Sequence, residues 1–246
     1  MSTLRSRVEE IFVLYGSQTG NSEQAAKDFC RQVATRLSPK VIHQISSTPT
    51  EIIVKPTHMQ LDDFLELERA KWTRIVVIIV SSYGIGQAPL GSYRFRELCD
   101  VWLDTYPTNA KILDGLFFAI CGLGDSKYTT FLENPTTIDK ALHRVGAKRV
   151  GELGKADASG TGENAQGVVI ERWMDGIWSE LAKAVAQEPL SKEKLQMMQK
   201  ETVDICQKIN PDFISEEASD LAAKQRRTSI AVLIACLAIL SWFIFQ

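Results

Sequence analysis

The sequence predicts a doubly wound α/β fold with five parallel strands, followed by a C-terminal transmembrane helix. Three observations carry that expectation. Five apolar runs of strand length alternate with amphipathic helical patterns along residues 1–186. One run, Ile75–Val80 (IVVIIV), has no polar alternation, the mark of a strand covered on both faces. The first, third and fourth runs each end in a loop rich in glycine and hydroxyl residues, where open α/β sheets bind ligands.

The first run, Ile11–Tyr15, leads into Gly16-Ser17-Gln18-Thr19-Gly20-Asn21-Ser22 and then a helix whose apolar face is Ala25, Ala26, Phe29, Cys30, Val33, Ala34 and Leu37. The second run is Val41–Ile45. The stretch Ser46–Met59, with Pro49 and Pro56, reads as a long connection. Ile75–Val80, Leu116–Cys121 and Arg149–Leu153 supply the remaining strands, and Ala165–Ala186 is a helix presenting Val169, Trp173, Ile177, Leu181 and Val185 on one face.

Beyond the domain at 1–186, residues 187–227 carry eight acids and seven bases. Pro189 and Pro211 bracket a helix with the narrow face Leu195, Met198, Thr202 and Ile205, so this segment reads as a charged helical or flexible tether. Residues 228–246 hold no charge; 19 residues as a helix measure about 28 Å, close to the roughly 30 Å hydrocarbon core of a bilayer. Lys224, Arg226 and Arg227 flank one end, and Trp242 and Phe243 suit an interfacial belt at the other. A single-pass tail anchor with a cytosolic domain is therefore expected, with the endoplasmic reticulum slightly favoured over the outer mitochondrial membrane.

Composition narrows the function. The chain is 45% apolar and 24% charged, with net charge −2, which excludes a disordered or collagen-like polymer and gives no basic field for nucleic acid. Cys30, Cys99, Cys121, Cys206 and Cys236 form no C-x-x-C pair and lie far from the three histidines, so neither a metal centre nor a disulfide framework is expected. The first ten residues lack the apolar core of a secretory signal.

The three loops carry the chemistry. Gly16–Ser22 is neither a Walker loop nor G-x-G-x-x-G. Opening a helix, it offers backbone N–H groups, the hydroxyls of Ser17, Thr19 and Ser22 and the Asn21 amide, enough to hold a phosphate without Lys or Arg. Ser81-Ser82-Tyr83-Gly84-Ile85-Gly86 and Gly122-Leu123-Gly124-Asp125-Ser126-Lys127-Tyr128 each bring one tyrosine and a close-approach backbone, so a planar ring can stack between them.

YGSQTGN, SSYGIG and CGLGDSKYTTF resemble the three flavin-mononucleotide loops of flavodoxin-like proteins, and most closely the FMN-binding halves of diflavin reductases. The resemblance runs from about Ile11 to Leu181. It implies FMN as cofactor, with Ser17, Gln18, Thr19, Gly20 and Asn21 at the phosphate and Tyr83 and Tyr128 on the two ring faces. It also implies backbone contacts from Ser82, Gly84, Leu123 and Gly124, Phe131 nearby, and Asp157 opening an acidic segment. Two departures stand out: Ile85 and Gln87 replace carboxylates usual in such loops, and Ala158-Ser159-Gly160 replaces acids after Asp157. Glu133-Asn134-Pro135 replaces a glycine-containing turn.

No nicotinamide fingerprint is visible, and no FAD or NADPH module is expected within these 246 residues. The expected function is a membrane-anchored FMN carrier of single electrons. Its donor would be a separate FAD/NADPH-type reductase and its acceptor a haem or iron–sulfur protein. The alternative is a redox-silent FMN-binding or flavin-free membrane adaptor.

Overall fold

A computed structural model describes residues 6–45, 50–67, 71–108 and 110–210. In chain order the elements are β1 (Ser6–Gly16), α1 (Asn21–Arg36), α2 (Pro39–Ile45), β2 (Glu51–Gln60), α3 (Leu61–Glu66), β3 (Ile75–Ser81), α4 (Tyr93–Thr105), β4 (Phe117–Gly124), α5 (Glu133–Arg144), β5 (Lys148–Arg149), β6 (Gly154–Asp157), α6 (Gln166–Ala186) and α7 (Lys192–Ile209). The strand order is β2-β1-β3-β4-β5, with β6 also on β4, and every pairing is parallel. The order reverses direction between β1 and β3, so those two strands open a crevice at their carboxyl ends.

The central strands explain the sandwich. Alternate residues of β1, β3 and β4 bury in two separate cores. Ile11, Val13, Ile75, Val77, Ile79, Ala119 and Cys121 meet α1 and α6, while Phe12, Leu14, Val76, Ile78, Val80, Phe118 and Ile120 meet the helices of the other face. An unbroken apolar run is what two covered faces demand. On α1, Ala25, Ala26, Phe29 and Val33 are buried as the spacing predicts, whereas Ala34 is exposed.

Two strand expectations need correction. Val41–Ile45 is not a strand; it lies in α2, which starts at Pro39, where a missing N–H costs a helix nothing. The second strand is Glu51–Gln60, inside the stretch read as a connection. It lies at the sheet edge with only Ile52 deeply buried, and an edge strand tolerates Pro56 because one side of its ladder is open. Arg149–Leu153 is not one strand either. β5 pairs with the start of β4 and β6 with its end, and between them the chain turns through Gly151 at φ 69°.

Residues 192–209, in the segment expected as a tether, form α7, whose face Met198, Thr202, Ile205 and Cys206 is buried in the second core. α7 begins at the amino ends of the strands, where Lys194 Nζ bonds the Asp114 carboxylate at 3.2 Å just before β4. It ends beside Asp62, Arg94 and Glu97, which act electrostatically on Cys206 at the opposite end of the sheet. The apolar segment 228–246 lies outside the described residues. Among the described residues, no helix is long and apolar enough to cross a membrane.

Candidate functional site

The loops after β1, β3 and β4 meet in one cleft of about 340 Å³, within the range of small-molecule sites. Each loop is built to stay where it is.

The loop after β1 closes on itself. The Gly20 N–H donates to Ser17 Oγ at 3.0 Å, and Gly20 takes the left-handed conformation (φ 89°) that lets the chain turn into α1 without a Cβ clash. As the N-cap it brings no side-chain acceptor, so the first-turn amides of α1 are left for a ligand. Ser22, on that first turn, is fully buried, lines the cleft, and has a hydroxyl with no partner. An unpaired buried hydroxyl at an uncapped helix N-terminus suits a phosphate.

The loop after β3 is a tight turn in which Tyr83 and Gln87 exchange backbone bonds at 3.0 and 2.8 Å. Its base is pinned twice: the Ser82 N–H donates to the Leu123 carbonyl at 2.8 Å, and the Asn134 N–H donates to Ser82 Oγ at 2.9 Å. The Thr130 hydroxyl donates to the Gly84 carbonyl at 3.4 Å, joining this turn to the loop after β4. Tyr83 and Tyr128 on the two loops are 49% and 60% exposed and both line the cleft, so each keeps much of its ring open to a ligand.

Carboxylates gather at one border. Asp125 accepts from the Ser159 hydroxyl at 2.6 Å and the Lys127 N–H at 3.0 Å. Asp157 accepts from the Ser126 and Ser159 N–H groups, each at 2.9 Å. The Ser159 hydroxyl above all holds the Asp125 carboxyl below its ordinary value, and Ser126 does the same for Asp157.

Of the residues expected in the site, Gln18, Thr19, Asn21, Ser82, Tyr83, Gly84, Leu123, Gly124, Tyr128 and Phe131 line the cleft. Ser17 and Gly20 sit behind it, shaping the loop, and Asp157 lies beside it within the serine network. The cleft wall also takes in Ser22, whose hydroxyl the sequence offered to a phosphate, and Ser81, Asp125, Thr130 and Ala158, which stood in the loop segments without a role of their own; Gln166 was not anticipated. Gln166, the first residue of α6, accepts from the Asn21 amide at 3.3 Å, a pairing across 145 residues that no local pattern announces.

The flavodoxin profile matches residues 13–171, taking in the β1, β3 and β4 loops and the start of α6. The chain belongs to the flavodoxin family. Among its relatives, methionine synthase reductase of Mus musculus is 27% identical over 176 residues, covering 72% of this chain and 22% of that protein. The flavoprotein alpha-component of sulfite reductase [NADPH] from Thiocapsa roseopersicina is 29% identical over 152 residues, covering 61% and 24%. NADPH–cytochrome P450 reductase of Phanerodontia chrysosporium is 25% identical over 186 residues, covering 75% and 23%. This flavodoxin-like chain thus spans under a quarter of the length of these relatives. FMN is the cofactor of such a domain, and the cleft fits it: the uncapped helix end with Ser22 suits the phosphate, and the two open tyrosines suit the ring.

Proposed function

We propose that this chain is an FMN electron carrier, loaded by a separate FAD/NADPH-type reductase and unloaded by a haem or iron–sulfur protein at a membrane. The cleft supports it most directly, because its two ring-facing tyrosines lie at the open rim of the sheet rather than in the interior. A cofactor held there keeps an edge within reach of another protein.

In this reading, residues 17–21 and Ser22 bind the phosphate, Tyr83 and Tyr128 sandwich the ring, and the Ser82, Gly84, Leu123 and Gly124 backbones fix its edge. FMN supplies one-electron chemistry, and the protein orients it and tunes its surroundings. Ile85 and Gln87 stand beside Tyr83 without charge, so this turn itself adds no carboxylate to steer a basic partner. Residues 228–246 tie the domain to a membrane, a reading supported by their lack of charge and by the basic residues before them.

The test uses the full chain purified in detergent and reconstituted with FMN. A yellow protein is expected that oxidises NADPH only after a separate NADPH-dependent flavin reductase is added, then passes electrons to a one-electron haem acceptor. A colourless protein that refuses FMN, or steady NADPH oxidation by the chain alone, overturns the proposal.

A further inference from the structure

Three of the largest exposed apolar side chains gather around the start of α4: Ile85 at 79%, Leu90 at 54% and Tyr93 at 49% exposed. They belong to one surface. Leu90 receives the Ser17 N–H on its carbonyl at 3.2 Å, which sets it against the phosphate loop. The Tyr93 N–H donates to Asp62 at 3.1 Å, and Arg96 on the first turn of α4 reaches the Gly86 carbonyl at 3.4 Å, which brings Ile85 over the same helix end.

Several of the charges around this rim are already engaged. Asp62 caps α4 through the N–H groups of Tyr93 and Phe95, Arg94 pairs with Glu66, and Arg96 pairs with Asp100. Toward solvent the patch itself is apolar, with the exposed Glu97 and Glu133 at its border, beside the open edge of the cleft.

α7 brings the chain to this same place. Its 18 residues span about 27 Å, from Asp114 at the amino ends of the strands to the neighbourhood of Asp62 at their carboxyl ends. Asp62 also holds the first turn of α4, so residue 210 leaves the domain near Leu90 and Tyr93. Had the chain left from the far end of α7, the exit would lie on the opposite side of the sheet. Only 17 residues, 211–227, separate this exit from the uncharged segment 228–246, a path of at most about 60 Å.

We infer that the rim formed by Ile85, Leu90 and Tyr93 rests on the lipid surface that receives residues 228–246, so that the open edge of the FMN cleft faces the membrane. The inference rests on the membrane reading of that segment. Apolar side chains with one tyrosine suit the bilayer interface, where an aromatic ring with a polar tip is at home. The redox partner is then one whose own centre lies close to the bilayer surface, and docking is governed by the membrane plane rather than by opposite charge.

The experiment places the full chain in phosphatidylcholine vesicles containing no other protein, and in an amphipathic polymer that offers no bilayer surface. Flotation of the vesicles reports anchoring, and hydroxyl-radical footprinting read by mass spectrometry reports the rim. Labelling of Ile85, Leu90 and Tyr93 is expected to fall several-fold in vesicles, while Met197 and Val168, exposed on α7 and α6, keep their rates. The variant Leu90→Asp is expected to float and bind FMN as before but to lose the protection of Tyr93. A chain that floats with an unprotected rim overturns the docking and leaves the anchor standing. A chain that does not float overturns both. Protection that appears only when an acceptor protein is added overturns the lipid surface in favour of a protein one.

Discussion

Asn134, on the first turn of α5, holds Ser82 from the loop after β3. Its N–H donates to Ser82 Oγ at 2.9 Å, and its side-chain amide donates to the Ser81 carbonyl, also at 2.9 Å. Asn134 is fully buried, and its amide oxygen accepts from Arg96 at 3.3 Å. One side chain therefore ties the ends of β3, α4 and α5 together directly beneath the turn that carries Tyr83.

Truncating that side chain leaves a buried carbonyl and a guanidinium short of a partner. Asn134→Ala is expected to destabilise the domain by about 1–3 kcal/mol, the cost of an unsatisfied buried group. It should also weaken FMN binding, because the Ser81 carbonyl beneath the Tyr83 turn loses its side-chain donor even though the two backbone pins at Ser82 remain. Urea unfolding and calorimetric titration with FMN read the two effects. Unchanged affinity with lowered stability would make Asn134 a purely structural residue.

Tyr128 is 60% exposed, so little folding energy depends on it and its removal should act mainly on the ligand. Tyr128→Ala is expected to weaken FMN binding by about 1–3 kcal/mol, the range measured for aromatic stacking on a nucleic-acid base. Tyr128→Phe should keep most of the affinity, because the ring is retained. Equal affinity in wild type and Tyr128→Ala removes this residue from the cofactor site.

Much of this site was legible because its signals are local. A glycine or hydroxyl cluster at the end of an apolar run marks a strand giving way to a loop, and Gly16–Ser22, Ser81–Gly86 and Gly122–Tyr128 all carry that punctuation. Gln166 and Ala158 do not, since they reach the cleft only through the packing of α6 and β6 on β4. β2 escaped for another reason. An edge strand buries little, and Pro56 within it reads as loop, whereas the apolar Val41–Ile45 that looked like a strand lies in the seven-residue helix Pro39–Ile45, which buries only Ile42. The split of the fifth strand depends on which ends of β4 are free to pair, which no single segment encodes.

The serine network should show in the pH dependence. Asp125 and Asp157 both sit below the usual aspartate value of 3.8, so each favours the folded state above that value. That contribution is lost as the pH falls through the lower, folded-state values. Ser159→Ala removes the largest cause of the Asp125 shift and returns its carboxyl toward 3.8. The variant is therefore expected to be less stable than wild type at neutral pH and to converge with it in strong acid. Carboxyl NMR titration and urea unfolding at a series of pH values follow this, and a stability difference constant down to strong acid would refute it.

At the far end of the sheet, Arg74 and Glu9 form an ion pair at 2.8 Å, with side chains 3% and 7% exposed. Arg74 also donates to the Val185 and Gln187 carbonyls at 3.3 and 3.1 Å, and Arg7 donates to the same two carbonyls. Two guanidiniums thus meet the carboxyl end of α6, where a helix carries partial negative charge, and Glu9 balances them. Glu9→Ala leaves Arg74 buried without its carboxylate, and breaking a buried pair from one side costs about 3–5 kcal/mol. The urea midpoint should fall accordingly. FMN affinity should stay unchanged in the folded protein, because the pair lies at the amino ends of the strands and the cleft at their carboxyl ends. A small loss of stability would mean that the α6 carbonyls alone satisfy Arg74, and a loss of FMN affinity would mean that the two ends of the sheet are coupled.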